Sequence, residues 1–107
     1  MEEEKSRLEQ FKEFVTLDPT DTFSRYALAL EYMGIDNFPA AIEQFQEVIR
    51  VDPEYSAAYF QAAICAKHLQ QFELAKNFLR GGIQAAEKKG DWHARDEMQA
   101  SLSDLEV

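Results

Sequence analysis

The pair of side chains best suited to chemistry in this sequence is Cys65 and His68. Residues three apart on a helix meet on one face, and a thiol beside an imidazole can act as a nucleophile. The surrounding sequence supplies no orienting third group and no strained turn to expose the sulfur, so a small buried cysteine is the expected role. His93 lies far from His68 and has no companion at ligand spacing, and a single cysteine excludes both a disulfide framework and a multi-cysteine zinc site. Glu43 and Glu47 fall on a polar helix face, where carboxylates are simply solvated. Gly81-Gly82 sits inside a helical pattern rather than in a phosphate-binding loop. These residues predict no catalysis, no metal and no cofactor.

The elements holding them repeat with a period of 34 residues. Shifting the sequence by that amount places Asp18-Pro19 on Asp52-Pro53, Ala29 on Ala63, Phe38 on Phe72, Ala41 on Ala75 and Ile49 on Ile83. It also places Tyr26 on Phe60, Leu30 on Ile64 and Phe45 on Leu79. Glu9-Gln10-Phe11 falls on Glu43-Gln44-Phe45, so residues 2–17 read as a half repeat before the full repeats 21–54 and 55–88. Such a period signals stacked supersecondary units in one domain. Proline and glycine punctuation divides each full repeat into two helices, about 21–34 and 38–50, then 55–69 and 72–87. A capping helix over 91–105 presents Trp92, Met98, Leu102 and Leu105 on one side to close the last open face. The helix over 38–50 is amphipathic on one side, through Phe38, Ala41, Ile42, Phe45, Val48 and Ile49. The corresponding face of 72–87 is Phe72, Ala75, Phe78, Leu79, Gly82 and Ile83, with Gly82 in a slot where a neighbouring helix comes close. The helix over 21–34 is instead apolar on two sides, Leu28 and Tyr32 on one and Phe23, Tyr26, Leu30 and Met33 on the other.

This pattern resembles that of the tetratricopeptide repeat family, W-x2-L-G-x2-Y, then A-x3-F, then P. Leu28, Tyr32, Ala41, Phe45 and Pro53 match in register, while Arg25 replaces the usual Trp and Ala29 the usual Gly. The second repeat matches more weakly, and Glu87 replaces its proline. The resemblance implies an all-α, right-handed superhelical array of antiparallel helix hairpins, about six helices, whose inner helices line a concave groove that binds peptides or proteins. Transferred residue by residue, the groove positions are Phe23, Tyr26, Ala27, Leu30 and Met33, then Ala57, Phe60, Gln61, Ile64, Lys67 and His68. Tyr26 and Phe60 are its expected central anchors. Some members clamp a chaperone's terminal carboxylate with Lys, Arg and Asn. The matching places here hold Tyr26, Leu30 and Gln61, so that specificity is not expected. An apolar segment fits better.

The 107-residue chain carries 20 acidic against 11 basic residues, a net charge of −9, with seven carboxylates and two arginines in 21–54. That balance argues against nucleic acid and anionic membrane surfaces, both of which require a basic footprint. It serves solubility, steering of a basic partner, or life in a saline cytoplasm. No apolar run is long enough to span a bilayer, and the acidic start lacks the basic and apolar regions of a secretory signal, which together predict a cytoplasmic location. Leu8, Phe11, Phe14 and Val15 in the half repeat lack a full complement of neighbours. That makes a homodimer through the amino-terminal edge or the groove the alternative to a monomeric adaptor.

Overall fold

The computed structural model describes residues 5–107. Six helices follow one another: α1 (Arg7–Leu17), α2 (Thr22–Gly34), α3 (Phe38–Val51), α4 (Ser56–His68), α5 (Phe72–Lys89) and α6 (Trp92–Leu105). Each packs on the next in sequence, and α4 also meets α6. The result is an all-α repeat array measuring 54 × 28 × 19 Å. Its radius of gyration, 14.6 Å, exceeds the roughly 13 Å of a compact chain of this length, as expected when units stack in a line.

Two kinds of turn alternate along the array. After α1 and α3, an aspartate followed by proline breaks the helix. Asp18 then accepts hydrogen bonds from the backbone N–H and hydroxyl of Thr20, and Asp52 from the N–H of Glu54. After α2, α4 and α5 the chain passes through one left-handed residue, Asp36, Gln70 or Gly90. The next residue's N–H bonds back to Tyr32, Ala66 or Ala86, each at 2.9 Å. This closure satisfies carbonyls that a helix end leaves orphaned. New helices begin on Asp21, Asn37 and Asp91, whose side chains accept first-turn N–H groups, whereas Tyr55 and Gln71 make no such cap.

The core runs down the middle of the stack. Phe45 and Val48 of α3 and Leu79 of α5 are fully buried against the small side chains of α4: Ala58, Ala62, Ala63, Cys65 and Ala66. Small residues on α4 let its neighbours' bulky side chains approach its backbone. Gly82 does the same for α6: an added Cβ would overlap the Met98 sulfur and stand 2.7 Å from Cβ of Tyr59. Two residues expected on apolar packing faces are open instead. Phe72 is 48% exposed at the first position of α5, and Trp92 is 54% exposed at the start of α6 with the Arg95 guanidinium over its ring. Both stand at the first position of their helix, where the repeat period alone overestimates their burial.

Arg25 and Tyr59 are 34 residues apart, at the position where the repeat pattern has tryptophan. Arg25 Nε donates to the carbonyl of Pro19 at 2.7 Å, and the Tyr59 hydroxyl to that of Pro53 at 2.8 Å. Different side chains thus tie the same helix to the same preceding turn. Arg25 also donates to Gln44 Oε1 of α3 at 2.9 Å.

Candidate functional site

The sequence-derived groove residues fall on two helices, α2 and α4. On α2, Phe23 is 69% and Leu30 40% exposed, although both are large and apolar. Ala27 and Met33 beside them are half-buried, Met33 resting on the core. Tyr26 is more enclosed. Its ring meets Phe45 edge-on at 5.6 Å between centroids and Tyr55 at 5.2 Å. Burial raises its phenol above the usual pKa, an effect that the neighbouring Gln61 side chain partly offsets. Tyr26 therefore joins α2 to α3 and α4, and the open aromatic surface on α2 belongs to Phe23.

On α4 the positions Ala57, Phe60, Gln61, Ile64, Lys67 and His68 follow one helical stripe. Ala57 and His68 are exposed, the other four half-buried. His68 stacks on Phe38 of α3, with centroids 4.4 Å apart and planes 4° from parallel. Ile64, Lys67 and His68 line an open hollow of about 330 Å³. Toward the other end of α4 a second hollow of about 170 Å³ lies against α6. Ser56, Ala57, Phe60, Asp91, His93, Ala94, Glu97 and Met98 line it.

The α6 residues of that second hollow are not among the sequence-derived positions. The repeat of 34 is a poor guide there, because α5 has Ala86-Glu87 where α3 ends in Asp52-Pro53. Without the proline, α5 continues to Lys89 and stops on the left-handed Gly90. The next helix starts two residues late, so Met98 and Leu102 take the buried places of Ala62 and Ala66. His93 and Glu97 then stand beside the α4 stripe. The missing proline was the available signal.

The Cys65–His68 pair does not form a nucleophilic site. Cys65 is fully buried, and burial pushes its thiol up to about 11, while His68 lies outside against Phe38. Among the described residues no three His, Cys, Asp or Glu side chains converge in a way that could hold a metal ion. Among the described residues no helix is long and apolar enough to cross a membrane.

Comparison with known proteins gives this architecture a family. Residues 24–55 match the tetratricopeptide repeat model. No curated protein matches the chain. A tetratricopeptide repeat domain protein from Salinibacter ruber, solved in solution, is 31% identical with a TM-score of 0.77, over 83% of this chain and 90% of that one. Yersinia enterocolitica SycD in complex with a peptide of the translocator YopD superposes with a TM-score of 0.85 at 17% identity, over 92% of this chain and 76% of that one. The TPR2B domain of yeast Sti1 in complex with pHsp70 gives 0.85 at 17%, over 92% and 79%. Repeat period, alternating turn chemistry, stacked hairpins and a relative at nearly one-third identity agree, and the chain belongs to the tetratricopeptide repeat family.

Proposed function

We propose that this protein is a non-catalytic interaction module that takes a peptide or protein segment against the α2–α4 surface. The observation that carries this reading is the exposure of Phe23 and Leu30 on α2, 69% and 40%, together with the half-buried Phe60 and Ile64 at the corresponding positions of α4. Large apolar side chains grouped on one face mark contact surfaces rather than ordinary solvent-facing helix. Two structural neighbours of the same fold, SycD and Sti1, were solved with a peptide of YopD and with pHsp70. They support the use of such an array for binding a polypeptide. A burial-raised thiol at Cys65 supports the non-catalytic part of the reading, and we place the module in the cytoplasm as a monomer.

The test is a pull-down from native extract with Phe23→Ala/Leu30→Ala as the control. These two side chains leave the core untouched, unlike Tyr26, whose loss would also unpack Phe45 and Tyr55. The double variant is expected to fold normally and lose the partner. Full retention of the partner would remove the groove reading. A second reading, a homodimer through α1, is favoured by Phe14 at 49% and Leu17 at 83% exposure. Sedimentation across micromolar to millimolar concentration distinguishes the two.

A further inference from the structure

The two hollows along α4 differ in sign. The one against α6 has a floor of Phe60, Ala57 and Met98 and a rim holding Glu97 and Asp91, with no Lys or Arg in its lining. His93 pairs with Glu97 across one turn, and Asp91 turns one carboxylate oxygen to the N–H of Ala94. The nearest arginine on α6, Arg95, is directed elsewhere, over Trp92 and toward Glu87 and Asp96. At the other end of the same stripe, the hollow at Ile64 and His68 holds Lys67 and no carboxylate. Lys67 forms no ion pair among the described residues, so its ammonium faces the groove without an internal partner.

We propose that the occupant of this surface is a peptide segment carrying charges of both signs. Its Lys or Arg would enter the hollow between Phe60 and Glu97, with the aliphatic stem on Phe60 and Met98 and the cation against the carboxylate. Its acidic group, an Asp or Glu side chain, would meet Lys67. Phe60 and Lys67 are seven residues apart on one helix, about 10 Å along the axis. An extended segment covers that distance in about three residues at roughly 3.3 Å each. The spacing thus selects opposite charges three or four positions apart, with apolar residues between them and toward Phe23 and Leu30. The proposal rests on the groove reading above and adds the charge pattern of the ligand.

A displayed library of random dodecapeptides selected on the full chain tests it, with enriched sequences then synthesised and titrated against the fluorescence of the sole tryptophan, Trp92, which adjoins His93. The expected consensus has Lys or Arg three or four positions from Asp or Glu. Its affinity should fall about tenfold on Glu97→Gln and on Lys67→Ala, both of which lie outside the core and can be checked for folding by circular dichroism. Peptides that need Phe23 and Leu30 but carry no such charges, or that ignore both charge variants, would overturn the proposal and leave the groove standing. A selection yielding no peptide sensitive to Phe23→Ala/Leu30→Ala overturns the groove reading and the proposal with it.

Discussion

At the carboxyl end of the array, α6 lowers Met98 and Leu102 into the core, 1% and 6% exposed, against the bare backbone of Gly82. At the amino end, α1 buries no residue and leaves Phe14 and Leu17 open. Both are single helices outside the full repeats, and both carry four or more apolar residues. The difference lies in the receiving surface. α6 meets α5 along a line where glycine permits close approach, and it touches α4 as well. Among the described residues α1 packs on α2. It is held there by half-buried Leu8, Phe11 and Val15, by the Arg7–Glu31 ion pair at 2.8 Å and by Lys12 over the ring of Tyr32 at 5.9 Å. Pairs of this exposed kind contribute little, typically under about 1 kcal/mol. An apolar helix becomes part of a core only when two surfaces close over it.

Cys65, buried at the centre of the stack, is a reporter for this contrast. Its thiol should label slowly at pH 8, because its pKa of about 11 leaves little thiolate until the fold opens. Met98→Ala should cost about 3 kcal/mol and raise the labelling rate on the order of a hundredfold. Phe14→Ala should change it only slightly, and equal acceleration by the two variants would erase the distinction between the ends. Gly82→Ala comes next: overlap with Met98 and Tyr59 outweighs the gain in helix propensity, for a net loss of about 2 kcal/mol in urea unfolding. At the caps, Asp91→Ala should lower stability by about 1 kcal/mol and Ser6→Ala by a few tenths, because α1 frays before the rest. Amide exchange should show α1 exchanging well ahead of α6. The smallest effect is expected of Leu17→Ser, within about 0.5 kcal/mol by thermal melt. A larger loss that grows on dilution would show that a second copy covers α1.

Much of this could be read without coordinates. The period of 34, the Asp-Pro breaks and the spacing of Leu28, Tyr32, Ala41 and Phe45 are local or strictly repeating features, and the six helices with their family follow from them. Burial beyond the hairpin was less legible. Phe72 and Trp92 have apolar side chains in periodic positions, yet each is about half exposed at the start of its helix. Tyr26 reads like Phe23 in sequence, but a ring three residues further along α2 reaches Phe45 and Tyr55 and becomes a strut.

The sequence alone determined the helices, their turns and their order, because hydrogen bonding, proline and apolar spacing act over a few residues. It also determined that α2 carries apolar residues on two sides, more than one hairpin covers. Tertiary structure decided which part of that surface stays open and where charge stands beside it. Those outcomes depend on how far α5 extends before Gly90, and hence on the register in which α6 sets Glu97 next to Phe60.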